Sequence, residues 1–162
     1  MFNIGIITAS DKGSRGERED ISGRTIAAMV DGLGEVKSYK VVPDDIDQLR
    51  QEIITMADDL KLDLILTTGG TGLGPRDVTP DATLSVIDRH VPGIAEAMRA
   101  KSLEKTNRAM LSRAVAGLRG RTLIINLPGS PKGVSECLEV VLPALEHGLS
   151  IMKGEVSECA RH

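Results

Sequence analysis

The feature that most constrains the fold is a set of short runs that stay apolar or β-branched nearly throughout. They are IGII at 4–7, LDLIL at 62–66 and TLIINL at 122–127. A strand with one face in water alternates apolar and polar residues, whereas a strand covered on both faces does not. With their flanking residues, the runs and a fourth β-rich segment predict strands of a parallel sheet at 2–9, 36–42, 62–68 and 121–127.

Segments of helical periodicity separate these strands. The predicted helices cover 21–33, 46–60, a segment from Pro80, 93–103, 107–118 and a long segment from Pro131. Asp45 and Thr79 are placed to cap the second and third helices, and Pro143 is expected to kink or divide the last. Strands that alternate with helices predict an α/β fold, a three-layer, mostly parallel open sheet with helices on both faces. We expect a single domain over 1–162.

Every unusual polar cluster follows a predicted strand. TASDKGS follows the first strand, PDD the second, TTGGTGLGPRD the third and LPGSPKG the fourth. In an open α/β sheet, ligands bind beyond the carboxyl ends of the strands, so these loops are expected to share one edge. The pattern favours one composite site over four unrelated loops.

The loop after the third strand has four glycines within 69–74 but matches neither common phosphate fingerprint. Pro75-Arg76 stands where a P-loop requires Lys-Ser/Thr, and Pro75 also replaces the third glycine of a dinucleotide loop. The glycines still favour a nest of backbone N–H groups for an anion, and Thr67, Thr68 and Thr71 add hydroxyls. The alternative is a tight turn without a ligand.

Two aspartates follow neighbouring strands, Asp44 after the second and Asp77 after the third. Carboxylates in this arrangement can hold Mg²⁺ with several waters, and the ion can bridge phosphate oxygens. Asp45 is better placed than Asp44 to cap a helix. Asp77 has two other open roles, pairing with Arg76 or capping the turn, and Arg76 either orients Asp77 or meets a phosphate.

The remaining loops allow both a structural and a binding interpretation. Ser130 suits an N-cap, Pro131 the first helical position and Lys132 the first turn, and the same helix start suits an anion. Ser10 and Asp11 begin either a turn before a helix or a ligand loop that becomes ordered on binding.

Composition excludes several classes of partner. The net charge is −3 and Phe2 and Tyr39 are the only aromatic residues, so neither general nucleic-acid binding nor base stacking is expected. No segment has the length of a membrane helix or the form of a signal peptide, so a cytoplasmic protein is expected. Cys137 and Cys159 predict two structural thiols, and the three histidines have no metal-ligand spacing.

Taken together, TTGGTGLGPRDVTPDAT with SD, PDD and LPGSPKG-x-x-EC in this order resembles the molybdopterin adenylyltransferase family, the MogA/MoaB group. The resemblance extends from residue 3 to about residue 152. It implies a cytoplasmic homotrimer that acts in molybdenum-cofactor biosynthesis. The terminal phosphate of molybdopterin would attack the α-phosphorus of Mg·ATP, giving adenylylated molybdopterin and pyrophosphate, and a molybdate-inserting partner protein would then exchange AMP for molybdate.

The resemblance also implies roles for individual residues. Asp44 and Asp77 match the catalytic aspartates, with Mg²⁺ and phosphate roles. Substrate- or nucleotide-binding roles fall on Ser10, Asp11, Thr68, Gly69, Gly70, Thr71, Gly72, Pro128, Gly129 and Ser130.

Two other functions remain open at this point. A molybdate-inserting enzyme contains a related domain, but the resemblance implies that such enzymes are longer and lack RDVTPDAT. A non-catalytic molybdopterin carrier or scaffold would use the same loops, although a pure binder would not need both Asp44 and Asp77.

Overall fold

The computed structural model describes residues 1–155, and six strands in this part of the chain form one sheet. The strands are β1 (Phe2–Ala9), β2 (Gly34–Val42), β3 (Leu64–Thr68), β4 (Arg89–His90), β5 (Ala116–Arg119) and β6 (Thr122–Leu127). Their order across the sheet is β2-β1-β3-β6-β5-β4. The strands β2, β1, β3 and β6 are mutually parallel, and β5 runs antiparallel to both of its neighbours.

In the described part of the chain, five α-helices connect the strands and a sixth follows β6; there are also a π-helical turn at Thr55–Asp59 and a 3-10 helix at Asn107–Leu111. The α-helices are α1 (Asp11–Ser14), α2 (Ile21–Met29), α3 (Ile46–Ile54), α4 (Thr79–Val86), α5 (Pro92–Leu103) and α6 (Pro131–Met152).

The sheet is covered on both faces because its side chains alternate between two apolar cores. Ile4 and Ile6 of β1 pack with α2, α5 and α6 in one core, while Ile7 packs with α3 and α4 in the other. In β6, Ile125 belongs to the first core and Ile124 to the second. All five of these side chains are fully buried. The predicted three-layer, mostly parallel fold is therefore confirmed.

The predicted helix at 107–118 is wrong. Only Asn107–Leu111 is helical, as a 3-10 helix, and Ala116–Arg119 instead forms β5. Residues 116–119 pair with β6 through a tight hairpin in which Gly120 has a φ of +55°. This pairing covers the outer side of β6, which would otherwise leave buried backbone groups without hydrogen bonds.

Two details at helix ends and interiors also differ from the sequence-based expectation. Thr79 does not cap α4: the helix begins at Thr79 itself, and the hydroxyl is packed against Gly70. Pro143 does not divide α6, which is continuous over 22 residues. Val141 and Leu145 belong to one apolar stripe that holds the segments on both sides of the proline against the sheet.

No helix within residues 1–155 is both long and apolar enough to cross a membrane.

Candidate active site

The loops that follow β2, β1, β3 and β6 lie side by side because these strands are adjacent and parallel. A cavity of about 660 Å³, here called the carboxylate cavity, opens between them. Eight of the predicted site residues line it: Ser10, Asp44, Thr68, Gly69, Gly70, Asp77, Gly129 and Ser130. The structure thus brings together residues that are up to 120 positions apart in the chain.

Gly69 and Gly70 bring the loop after β3 close to its neighbours. Their φ angles are +88° and +68°, values that residues with a side chain rarely adopt. A Cβ on Gly69 would lie 2.5 Å from the carbonyl oxygen of Ala9, and a Cβ on Gly70 would collide with the hydroxyl oxygen of Thr79. Both positions therefore require glycine, for conformation and for space.

Asp44 is held by the loop that follows β1. The backbone N–H of Asp11 donates to Asp44 Oδ2 at 3.0 Å, and the backbone N–H of Asp44 donates to Asp11 Oδ1 at 3.0 Å. Burial raises the pKa of Asp44, and the charges of Asp11 and Asp77 act in the same direction. A nearby cation would therefore stabilise the charged form of the Asp44 carboxyl group.

Asp77 closes a turn of the glycine loop. Its Oδ2 accepts a hydrogen bond from the N–H of Gly74 at 2.9 Å, and its own N–H donates to the carbonyl of Gly74 at 3.0 Å. The same Oδ2 lies 3.0 Å from the place that a Cβ on Gly72 would take. Of the roles left open for Asp77, capping the turn is the one observed in this structure.

The side chain of Arg76 does not pair with the adjacent Asp77. It instead forms an ion pair with Asp11 in the loop after β1. Arg76 Nε donates to Asp11 Oδ2 at 2.6 Å, and Nη2 donates to Asp11 Oδ1 at 2.9 Å. These hydrogen bonds lower the pKa of Asp11 to about 2. Asp11 is absent from the residues that line the carboxylate cavity, and it contacts the cavity through Asp44.

A second cavity of about 450 Å³ lies on the other side of the loop after β6, between that loop, α5 and the 3-10 helix. Thr71, Gly72 and Pro128 line this second cavity rather than the first, and Ser130 lines both. Apolar side chains such as Met98 and Leu111 contribute to its wall, as do several cations. Its cations are Arg99, Lys105, Arg108 and Lys132. Apart from Asp11, which lines neither cavity, the predicted site residues therefore divide between two cavities that share Ser130.

Hydroxyl groups brace the loop between the two cavities. Thr68 Oγ1 donates to the carbonyl of Pro128 at 2.6 Å, and Ser22 Oγ donates to the carbonyl of Gly129 at 2.6 Å. Ser130 caps α6 as predicted, since its Oγ accepts from the N–H of Gly133 at 3.1 Å. Thr68 thus uses its hydroxyl inside the protein and not as a free donor for a ligand.

Sequence reasoning missed Arg113, which holds the glycine loop from the far side. Its Nε donates to the carbonyl of Gly72 at 2.9 Å and its Nη2 donates to the carbonyl of Asp77 at 2.6 Å. Its guanidinium also pairs with both carboxylate oxygens of Asp81, and this lowers the pKa of Asp81. No local pattern could have revealed Arg113, because its partners are 32 to 41 residues away.

Asp20 is a second residue that sequence reasoning missed. Asp20 lines the carboxylate cavity and caps α2, because its carboxylate accepts a hydrogen bond from the N–H of Gly23 at 3.0 Å. The carboxylate also accepts hydrogen bonds from the Thr8 hydroxyl at 2.7 Å and from the Tyr39 hydroxyl. Burial, followed by the hydrogen bond to Asp20, raises the pKa of Tyr39. Its position one residue before a helix is the signal that could have identified it as a cap.

Cys137 is a buried thiol at the wall of the second cavity, and its structural role stays a prediction. It is buried and forms no disulfide within the described part of the chain, and burial raises the pKa of its thiol, so the reactive thiolate is disfavoured. Cys159 lies outside the described residues.

The donor set suits a small, hard divalent cation. Among residues 1–155, the hydrogen-bond donors to the two site aspartates reach only Oδ2 of Asp44 and Oδ2 of Asp77, which leaves the second oxygen of each carboxylate available. Within residues 1–155, no group of three or more acidic, histidine or cysteine side chains is placed to hold a metal ion, so the protein alone would supply at most two carboxylates. Two carboxylates with room for waters and phosphates are the kind of site that Mg²⁺ uses.

The fold and the loop edge define an α/β protein with a polar ligand site beyond the carboxyl ends of its parallel strands. The family model described as a probable molybdopterin binding domain matches residues 5–147. The chain therefore belongs to the molybdopterin adenylyltransferase family of molybdenum-cofactor biosynthesis proteins, as the following relatives also indicate.

Similarity to members of this family extends over nearly the whole chain. The chain is 43% identical to the molybdopterin adenylyltransferase of Helicobacter pylori strain J99, covering 94% of this chain and 89% of that protein. It is 41% identical to the molybdopterin adenylyltransferase of Escherichia coli K12, covering 88% and 75%. The crystal structure of the molybdopterin biosynthesis enzyme MoaB from Thermus thermophilus is 56% identical, covers 95% and 98%, and superposes with a TM-score of 0.89.

Proposed function

We propose that this chain adenylylates molybdopterin with ATP and Mg²⁺. An oxygen of the terminal phosphate of molybdopterin attacks the α-phosphorus of ATP, and the bond from that phosphorus to the oxygen bridging to the β-phosphate breaks. Pyrophosphate leaves and adenylylated molybdopterin remains. A molybdate-inserting partner protein then exchanges AMP for molybdate.

The observation that carries this proposal is the convergence of Asp44, Asp77 and the Gly69-Gly70 turn on one cavity. A glycine loop alone would suit many anions, and two carboxylates alone would repel one. Their combination suits a phosphate chain that arrives with a cation. Transfer of a phosphoryl-type group depends mainly on positioning and neutralisation of charge, and these residues can supply both.

In this proposal Asp44 and Asp77 would hold Mg²⁺. When bound, the ion neutralises phosphate charge and polarises the α-phosphorus. The turn at Gly69 and Gly70 brings backbone close to the phosphates without a side chain in between. Thr71, Gly72 and Pro128 contribute to the second cavity, so two substrates can meet at Ser130, which borders both.

The test is an assay of the purified protein with molybdopterin, ATP and Mg²⁺, in which pyrophosphate and adenylylated molybdopterin are both measured. We expect Asp44→Asn and Asp77→Asn to lower turnover by about a hundredfold or more, because several kcal/mol of charge stabilisation are lost. The matched control is Asp45→Asn. Asp45 adjoins Asp44 but caps α3 through the N–H of Gln48 at 2.9 Å, and asparagine caps equally well, so activity should persist.

Normal turnover in both Asp44→Asn and Asp77→Asn would contradict the assigned mechanism. Tight binding of molybdopterin by the unmutated protein without any adenylylation would instead support the carrier alternative.

We further propose that the enzyme is a cytoplasmic homotrimer. The oligomeric state follows from the family resemblance. The compartment follows from the need for ATP and agrees with the free, buried thiol of Cys137.

A further inference from the structure

A further carboxylate, that of Asp11, lies beside Asp44, one of the two carboxylates that the proposed metal would use. Asp44 and Asp77 line the carboxylate cavity, and Asp11 is joined to Asp44 by two reciprocal hydrogen bonds of 3.0 Å. A third carboxylate so close would ordinarily strengthen the binding of a divalent ion, since ligand charge is a main determinant of affinity. The structure must therefore either use Asp11 or keep it away from the ion.

Arg76 occupies both oxygens of Asp11. Its Nε and Nη2 atoms donate to Oδ2 and Oδ1 at 2.6 and 2.9 Å, the two-pronged geometry of the stronger ion pairs. Asp11 Oδ1 also accepts from the N–H of Asp44. Both carboxylate oxygens of Asp11 are thus engaged, whereas Asp44 and Asp77 each have only Oδ2 engaged by a hydrogen bond from the described residues.

Stability alone does not explain this ion pair. The side chain of Arg76 is 63% exposed, and ion pairs between exposed groups contribute little to folding. The pair does connect the loop after β1 with the glycine loop after β3, directly beside the two proposed metal ligands. Its position points to a role in the site.

We propose that Arg76 withholds Asp11 from the divalent cation, so that the site binds the free ion weakly and the ion together with nucleotide phosphates well. This inference rests on the proposed metal role of Asp44 and Asp77. With Asp11 held by Arg76, Asp44 and Asp77 would each offer one oxygen to the ion, and the phosphates of the substrate would supply further ligands. Arg76 is in this sense a positioning residue, which acts on the metal through Asp11.

The experiment measures binding of Mn²⁺, a paramagnetic substitute for Mg²⁺, by electron paramagnetic resonance in the absence of nucleotide. Arg76→Gln should bind Mn²⁺ about tenfold more tightly than the unmutated protein, because one positive charge is removed and Asp11 is released. Arg76→Lys keeps the charge but cannot form the two-pronged contact, so we expect a gain of about threefold. The double variant Asp11→Asn/Arg76→Gln should return to the unmutated affinity.

The matched control is Arg119→Gln. Arg119 forms a similar two-pronged pair with Asp58, at 3.0 and 2.7 Å, at the opposite end of β5 from the site, and its loss should leave Mn²⁺ binding unchanged. Circular dichroism checks that each variant is folded.

Unchanged or weaker Mn²⁺ binding in Arg76→Gln would overturn the inference. A gain in Arg76→Gln with none in Arg76→Lys would also overturn it, because charge alone would then explain the effect. Failure of the proposed function has a different signature: Asp44→Asn and Asp77→Asn would then bind Mn²⁺ as well as the unmutated protein does.

Discussion

At the scale of single residues, Gly70 is a position at which the structure strictly requires glycine. Gly70→Ala would place a Cβ against the Thr79 hydroxyl, at a φ of +68°. We expect a loss of about 1–3 kcal/mol in the free energy of unfolding, and a larger relative loss of adenylylation, because the loop must shift within the site. Denaturant unfolding and the pyrophosphate assay measure the two effects.

Gly93→Ala is the matched control for Gly70→Ala. Gly93 lies in α5, and no atom lies within 4 Å of a Cβ added there. Alanine should therefore stabilise the helix by up to about 1 kcal/mol and leave turnover unchanged. Equal turnover in Gly70→Ala and Gly93→Ala would show that the loop tolerates displacement.

The residues of the site differ in how far the sequence could predict them. Asp44, Asp77 and the glycines could be predicted because they lie in the loops that follow β2 and β3, where an open α/β sheet places its ligands. The partner of Arg76 could not be predicted, because Asp11 is 65 residues away in the sequence. Asp77, which is adjacent to Arg76, was the more obvious candidate for an ion pair. Arg113 could not be predicted for the same reason. Its role depends on hydrogen bonds to backbone carbonyl groups that face it only in the folded loop.

At the scale of elements, the glycine loop depends on Arg113, which donates to the carbonyls of Gly72 and Asp77. Arg113→Gln should leave these carbonyls poorly bonded and cost about 1–2 kcal/mol of stability. It should also raise KM more than it lowers kcat, since a loosened loop must be ordered when substrate binds. Steady-state kinetics and denaturant unfolding check both expectations.

Arg119→Gln serves again as the comparison for Arg113→Gln. Arg119 donates to one carbonyl, that of Val86, and pairs with Asp58, so its loss should cost similar stability. Because Arg119 does not contact the glycine loop, KM should stay as it is. Parallel changes of KM in both variants would mean that general destabilisation, not the loop, is responsible.

The elements themselves show why periodicity predicted four of the six described strands, β1, β2, β3 and β6, and missed β4 and β5. β1, β3 and β6 are covered on both faces, so their apolar runs identify them without ambiguity. β5 is a four-residue strand containing Gly117, and it depends on pairing with β6 for its hydrogen bonds. The signal that could have found it is Gly120, which begins a two-residue connection between β5 and β6. The helical pattern that begins near Asn107 instead favoured a helix across this segment.

At the scale of the whole molecule, the order of the strands creates the site. β2, β1, β3 and β6 are adjacent, so their four carboxyl-end loops must share an edge even though they are scattered through the sequence. The antiparallel strands β5 and β4 extend the other side of the sheet and carry no loop into the carboxylate cavity. One topology therefore places the glycine loop, both aspartates and the start of α6 together.

Exposed apolar side chains beside the second cavity favour assembly of several chains. Three large apolar side chains are exposed within a short segment next to the second cavity: Leu103 (44%), Met110 (65%) and Leu111 (49%). Clustered exposed apolar groups of this kind favour protein contacts. We expect light scattering to give three times the 17.3 kDa of one chain, and Met110→Glu to lower that mass.

Leu60→Glu is the control for Met110→Glu. Leu60 is also exposed, at 50%, but it precedes β3 and therefore lies at the end of the sheet away from the loops. A charge there should leave the trimer intact, because no part of the apolar cluster is altered. A mass of one chain for the unmutated protein would contradict the predicted trimer, and equal dissociation by both variants would contradict its assignment to the surface beside the second cavity.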